Sequence, residues 1–397
     1  RLVTRPVGAE LTAPIDGLFQ LTWPQVTVTP EPRTTEHTVL EVPTGNIHDV
    51  TEHILTTLQN HLTTDKTLVV LTRNAVNTPN PDLAAAGVWG LVRSAQTEHP
   101  DRIILIDTDD TLEPSTLIGD EPQLSIRNSK TYAPRLARTP TPQPPTWDPD
   151  DTVLITGGTG TLGTILARHL VEQHNIRNLI LVSRRGQTPH TLNDLDANIT
   201  TTACDTTNRQ ALQNLINNTP NLTAVIHTAG IVDDALLTTL TPEKLHTVLS
   251  TKTDTAHHLH ELTQHLNLKA FVLYSSLAGT LGNPGQANYA AANAYLDALA
   301  QHRHTQGLPA TSIAWGLWAD TSGTTKHLTN TDLARLTRDG ITPITTQHGT
   351  ALFDAALGLN TPTTIATPLN LTTISKNPTI PPLLRNLIPR RTTATTV

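Results

Sequence analysis

Four polar side chains in the second half of the chain have the types and spacing of a carbonyl-reducing centre. Tyr289 and Asn293 stand four residues apart in the Ala-rich run 287–302, so they share one face of a helix. Ser276 stands thirteen residues before Tyr289 and follows the apolar run 270–275. A hydroxyl at that strand end opens onto the edge where α/β sheets bind ligands. Lys252 lies in the apolar stripe of a helix over 245–262, with Leu245, Val248, Leu249, Ala256 and Leu259. A lysine there is costly unless it is paired or lines a polar cleft. Each residue has an ordinary explanation alone, but together they suggest reduction of a ketone. A free tyrosine titrates at about 10, and a neighbouring ammonium lowers that value toward the range of a useful general acid. The serine hydroxyl can hold the carbonyl oxygen as it gains charge. No metal is called for.

Such a reaction needs a hydride donor, and the stretch 152–185 offers a place for one. An apolar run, a glycine turn, a helical pattern with Leu162, Ile165, Leu166 and Leu170, and a second apolar run follow within one βαβ length. Gly158, Gly160 and Gly163 fit G-x-G-x-x-G, which brings backbone N–H groups and a helix N-terminus to a pyrophosphate. The candidate contacts are Gly157, Thr159, Gly160, Thr161, Leu162 and Gly163. Ser183, Arg184 and Arg185 end the second strand, where an acidic residue would hold the ribose of NAD. An arginine there pairs with a 2′-phosphate, which favours NADPH.

The elements that must position these residues alternate throughout. Strand patterns over 224–228, 270–275 and 311–315 enclose helical patterns over 245–262 and 287–302, which predicts a doubly wound parallel sheet. The first half repeats the scheme, with a helix over 51–62, a strand over 67–72, a helix over 83–98 and a strand over 103–107. After its first strong strand it has Arg73-Asn74-Ala75-Val76 in place of glycines, so it reads as a structural partner with a degenerate cofactor site. The proline-rich stretch 139–149 reads as a linker. The expected division is a Rossmann-like structural unit without cofactor (1–147), a catalytic unit (148–373) and a tail or linker (374–397). Residues 320–338 read as a mobile helical segment.

Composition narrows the partners. The net charge is −7 with no basic cluster, which argues against nucleic acid. No apolar run approaches the roughly 18 residues of a membrane span. Cys204 is the one cysteine, which excludes an internal disulfide and fits a reducing, cytoplasmic setting. The chain starts at Arg1 and contains no Met, as expected of a segment of a longer polypeptide without a signal peptide of its own.

FVLYSSLAGTLGNPGQANYAAANAYLDALAQHR (271–303) closely resembles the ketoreductase domains of modular type I polyketide synthases, members of the short-chain dehydrogenase/reductase superfamily. TGGTGTLG (156–163), HTAG (227–230) and WGLW (315–318) agree with it, and 82–100 resembles the non-catalytic subdomain of those domains. The resemblance implies a catalytic tetrad of Ser276, Tyr289, Lys252 and Asn293. Most short-chain dehydrogenases have a lysine four residues after the tyrosine. In the polyketide ketoreductases the lysine and asparagine exchange places, as Lys252 and Asn293 do here. It further implies Cys204 and Asp205 beside the adenine, Ala229 and Gly230 along the ribose with His227 and Thr228 among the cofactor contacts, and Trp315 and Gly316 at the nicotinamide. Type-B members carry Leu-Asp-Asp after the HTAG-like strand, and this chain has Val232-Asp233-Asp234. Leu281 replaces the tryptophan of type-A members, and Ala291 is not the proline of the epimerising subtype. The expectation is NADPH-dependent reduction of a β-ketoacyl thioester on an acyl carrier protein to a D-β-hydroxyacyl thioester, within a synthase whose other domains flank this one. The rivals are a redox-inactive structural domain and a sugar epimerase or dehydratase of the extended short-chain type, which would need a lysine at position 293 and would not explain the glycine-poor first half.

Overall fold

The computed structural model describes residues 15–28, 36–110, 119–143, 145–320, 334, 336–338, 340–377 and 379–388. The first half runs β1 (Leu18–Thr22), β2 (His37–Glu41), α1 (Ile47–His61), β3 (Thr67–Thr72), α2 (Leu83–Glu98), β4 (Ile103–Thr108), β5 (Gln123–Arg127), β6 (Lys130–Tyr132) and β7 (Arg135–Arg138). The catalytic half opens with β8 (Thr152–Thr156), α3 (Thr161–His174), β9 (Asn178–Ser183), β10 (Asn198–Ala203), α4 (Arg209–Asn217) and β11 (Leu222–His227). It continues through α5 (Pro242–Leu249), a π turn (Ser250–Asp254), α6 (Thr255–Thr263), β12 (Ala270–Ser276), α7 (Leu277–Leu281), α8 (Ala287–Thr305), β13 (Thr311–Trp315) and β14 (Thr363–Ala366).

β2 to β6 form one sheet in sequence order; the other has nine strands in the order β10-β9-β8-β11-β12-β13-β14-β1-β7. The large sheet is parallel from β10 to β14 and its strands alternate between two cores. Leu154, Val225 and Leu273 pack with α5, α6 and α8 on one face. Val153, Ile226 and Val272 pack with α3 and the helix Thr346–Leu357 on the other. The two-unit, Rossmann-like α/β architecture read from the sequence is the one observed.

The sheets do not divide at residue 147. β1 pairs antiparallel with both β14 and β7, so two strands from the first half extend the catalytic sheet and cover its otherwise open edge. Part of the stretch expected to be a tail is packed as well. Leu383, Leu384 and Ile388 bury against Phe19 and Leu136 because the apolar face of β1 and β7 needs covering. Residues 389–397 and most of 320–338 lie outside the described residues.

In the first half, the turn after β3 is closed by a carboxylate. Asp107 accepts the Ala75 N–H at 2.8 Å and the Thr72 hydroxyl at 2.6 Å, and pairs with Arg127. The backbone donor that a glycine turn would offer to a phosphate is already engaged. The unit packs its α2 against the catalytic half, and Gly90 lets that helix lie against α8.

Candidate active site

The glycine turn joins β8 to α3 in a space that side chains could not share. Gly157 has φ +68°, and a Cβ on it would stand 2.7 Å from the Ala229 nitrogen. A Cβ on Gly163 would stand 2.5 Å from the Gly157 carbonyl oxygen. Gly160 is the N-cap of α3 and supplies no side-chain acceptor to the first turn. That leaves the turn suited to an anionic ligand, as in other dinucleotide folds. At the end of β9, Ser183 Oγ accepts the Gly186 N–H at 3.2 Å. Arg184 and Arg185 follow, exposed and with no ion pair among the described residues. Cys204 donates its N–H to the Ser183 carbonyl at 3.0 Å, and burial, then the nearby Asp205, push its thiol pKa up. Asp205 accepts from Thr207 N–H and hydroxyl at 3.1 and 2.8 Å. Ser183, Cys204 and Asp205 therefore stand at neighbouring strand ends.

His227 has a different task from the one expected. Its imidazole is buried, with Nδ1 2.7 Å from Thr156 Oγ1 and Nε2 3.1 Å from the Lys252 carbonyl. Burial, reinforced by the Lys252 charge, pushes its pKa down to about 3, so it is neutral. It braces β8 and β11 against the turn that carries Lys252. Thr228 donates to the Thr156 carbonyl at 2.8 Å, and a Cβ on Gly230 would stand 3.2 Å from Lys252 Cε. A side chain there would crowd the lysine stem.

Lys252 sits where an otherwise unbroken helix over 242–263 widens. It occupies the π turn between α5 and α6, where one extra residue per turn re-aims a side chain that regular spacing would send into the core. Its ammonium is 3% exposed, donates to the Tyr274 carbonyl at 2.8 Å and lies 5.4 Å from the centre of the Tyr289 ring. Burial holds its pKa down at about 7, opposed by the charge of Asp297. The expected lowering of the Tyr289 phenol is not seen. Burial raises it, while Asn293 and Ser276 pull in the other direction and Asp234 adds to the rise. A desolvated phenol stays protonated because its anion has lost water and the lysine is itself only partly charged.

Ser276 ends β12 and caps α7, accepting the Ala278 N–H at 3.3 Å. Asn293 donates to the Tyr289 carbonyl at 2.7 Å, one turn back, and its Oδ1 is buried without a partner. Lys252, Ser276 and Tyr289 line one cavity of about 200 Å3 with Val232, Trp315 and Gly316. Gly316 donates to Ala366 O at 2.8 Å, and its missing side chain makes room for Thr367. Asp233 pairs with Lys244, and its carbonyl accepts from Asn288 at 2.8 Å. Asp234 accepts from Gln286 Nε2 at 3.0 Å, so the loop at 232–235 is tied to the segment that leads into Tyr289.

Residues 151–320 match the family model of the KR domain, and residues 4–136 match the Rossmann fold domain of the polyketide synthase extender module SpnB. The chain belongs to the ketoreductase domains of modular type I polyketide synthases. It is 45% identical over 365 residues to the spectinabilin polyketide synthase system protein NorA' of Streptomyces orinoci, covering 86% of this chain and 10% of that protein. It is 44% identical over 340 residues to polyketide synthase GfsE of Streptomyces halstedii, covering 82% of this chain and 9% of that one. The ketoreductase from the first module of phoslactomycin biosynthesis in Streptomyces sp. HK803 superimposes with a TM-score of 0.80 at 29% identity, covering 94% of this chain and 99% of that one. An A1-type ketoreductase gives a TM-score of 0.78 at 29% identity, covering 95% and 98%. The chain thus spans about a tenth of the first curated relatives and nearly the whole of the excised ketoreductases.

Several residues that hold the ketoreductase site carry no motif. Glu98, the last residue of α2, accepts the Gly285 N–H at 2.9 Å and the Leu237 N–H at 2.7 Å, bracing both loops beside Tyr289 from the non-catalytic unit. Trp318 packs its ring 5.0 Å from Trp315. The repeated tryptophan of WGLW was its one sequence signal.

Proposed function

We propose that this ketoreductase domain reduces a β-ketoacyl thioester, carried by an acyl carrier protein, with NADPH, and yields the D-β-hydroxyacyl thioester. The observation that carries the reading is the convergence of Lys252, Ser276 and Tyr289 on one cavity beside the glycine turn. Bound NADPH would supply the hydride to the β-carbon. Tyr289 gives its proton to the oxygen as that oxygen gains charge, and Ser276 donates a hydrogen bond to the same atom. Lys252, beside the tyrosine ring, anchors the ribose of the cofactor and supplies positive charge behind the phenol. Asn293, with its unpartnered Oδ1, is placed to accept from a water that returns the proton. Asp233, Asp234 and Val232 orient the ketone, and Asp234, the second aspartate of the type-B pattern, supports the D product. The carrier protein and the flanking domains of the synthase are the partners, in the cytoplasm. No helix among the described residues is long and apolar enough to cross a membrane.

The test is incubation with NADPH and a β-ketoacyl thioester, followed by chiral analysis. A D alcohol is expected, and an L alcohol would overturn the type-B assignment. No NADPH binding would return the chain to a redox-inactive structural role. The exposed arginines predict cofactor choice. Arg184→Ala with Arg185→Ala should raise the KM for NADPH about 10- to 100-fold, the worth of one or two charge-assisted hydrogen bonds. The KM for NADH should hardly change. Equal losses with both cofactors would show that the arginines do not read the 2′-phosphate.

A further inference from the structure

Behind the tetrad a second polar cluster lies on the same helix. Tyr289, Asn293 and Asp297 follow one another at four-residue steps along α8 and share a face. Ser312 of β13 donates to Asp297 Oδ1 at 2.6 Å. Ser275 donates to the Asn293 carbonyl at 3.1 Å, one helical turn before Asp297. The adjacent carbonyl, that of Tyr274, takes the Lys252 ammonium. Ser312 pairs in register with Leu273, the residue before Tyr274, so Lys252 and Asp297 meet adjoining positions on the neighbouring strands β12 and β13.

Lys252 makes no ion pair among the described residues, and a buried ammonium held by one carbonyl is expensive. At that depth a carboxylate acts over a longer range than it would in water. Arg93 reaches the region from α2, donating to the Gly279 carbonyl at 2.8 Å and to Gln123 Oε1 at 3.1 Å, with Nη2 buried and unpartnered. It shares with Asp297 the lining of a cavity of about 100 Å3. Burial pushes Asp297 up to about 6, against the hydroxyls of Ser312 and Ser275 and the charges of Arg93 and Lys252. Burial likewise brings Arg93 down to about 10, opposed by Asp297. His227, facing Lys252 from β11, is neutral, and Tyr289 on α8 stays protonated.

We propose that Asp297 is a positioning residue whose carboxylate, fixed by Ser312 and faced by Arg93, is the counter-charge that favours the cationic form of Lys252 behind the tetrad. The consequence for the reaction rests on the reading of Tyr289 and Lys252 as the proton-donating pair. The sign is determined. An ammonium is charged below its pKa and neutral above it, and removing a nearby negative charge lowers that pKa. The alkaline fall in kcat should therefore move to lower pH.

The experiment compares the whole chain with its Asp297→Asn and Ser312→Ala variants. Lysine labelled with 13C at Cε reports the titration of Lys252 directly, its resonance assigned by its loss in Lys252→Arg. Asp297→Asn should lower the midpoint by about one pH unit, and the alkaline limb of kcat by the same amount. Ser312→Ala should move both less, in the same direction. Binding of NADPH, followed by nicotinamide fluorescence at low pH, should be unchanged. A titration midpoint unmoved in the variants, or a loss of kcat equal at every pH, would overturn the proposal. If Asp297→Asn does not fold, Ser312→Ala decides. A shifted midpoint in a protein that reduces no ketone would leave the electrostatic pairing standing and refute the proposed reaction.

Discussion

Tyr289→Phe should lower kcat about 10³-fold, the usual worth of a positioned general acid, while the affinity for NADPH stays within a factor of about two. The ring remains, so its contact with Lys252 and the shape of the cavity persist, and what is lost is the proton. Burial holds the phenol above its ordinary value, so at neutral pH the wild-type residue is fully in the acid form that reduction needs. The group whose charge changes near neutrality is Lys252, at about 7. The loss in Tyr289→Phe should therefore be nearly constant from mildly acidic to neutral pH. NADPH oxidation with a β-ketoacyl thioester, alongside cofactor fluorescence titration, measures both quantities. Residual turnover within tenfold of wild type would remove Tyr289 from the mechanism, and a parallel loss of NADPH binding would make the change structural.

The placement of Tyr289, Asn293 and Ser276 on their elements, and the glycine turn, were legible in the sequence because they are local. Tyr289 and Asn293 are one helical turn apart, Ser276 ends a strand, and the glycines are dictated by backbone contacts within one βαβ unit. Lys252 was legible as an anomaly, a charge in an apolar stripe, but the π turn that resolves it was not. Regular periodicity carries no sign that a turn will widen by one residue. His227 looked like a cofactor contact because it begins HTAG, and only its two hydrogen bonds show that it holds the lysine turn. Glu98 and Arg93 were invisible as site residues. Arg93 lies 186 residues from Gly279, and Glu98 lies 139 and 187 residues from the two loops it supports; in sequence each is a polar residue on a small-residue helix. The same limit hid the crossing of β1 and β7 into the catalytic sheet, since strand pairing over such separations leaves no local trace.

Gly90→Ala should disable the protein although it touches no reacting atom. In an isolated helix this change stabilises by about 1 kcal/mol. Here a Cβ on Gly90 would stand 2.1 Å from the Ala290 carbonyl oxygen, 2.6 Å from its carbon and 2.8 Å from Ala294 Cβ. The clash is with the backbone of α8, so no rotamer relieves it, and α2 must move away from the helix that carries Tyr289 and Asn293. Overpacking of this kind costs about 1–3 kcal/mol, more than the propensity gain. Displacing the residue beside Tyr289 by about 1 Å is enough to cost roughly 10²-fold in rate. Gly87→Ala is the control on the same helix. Its Cβ would meet Ile47 Cδ1 at 2.3 Å, the far end of a flexible side chain, while the nearest α8 backbone atom is 3.5 Å away. Thermal unfolding and NADPH turnover of the two variants should separate clearly, with Gly90→Ala losing both and Gly87→Ala losing little of either. Equal behaviour would mean that the α2–α8 contact does not set the position of the catalytic tyrosine. The separation expected here assigns the non-catalytic unit its purpose, which is to hold one face of α8 in place.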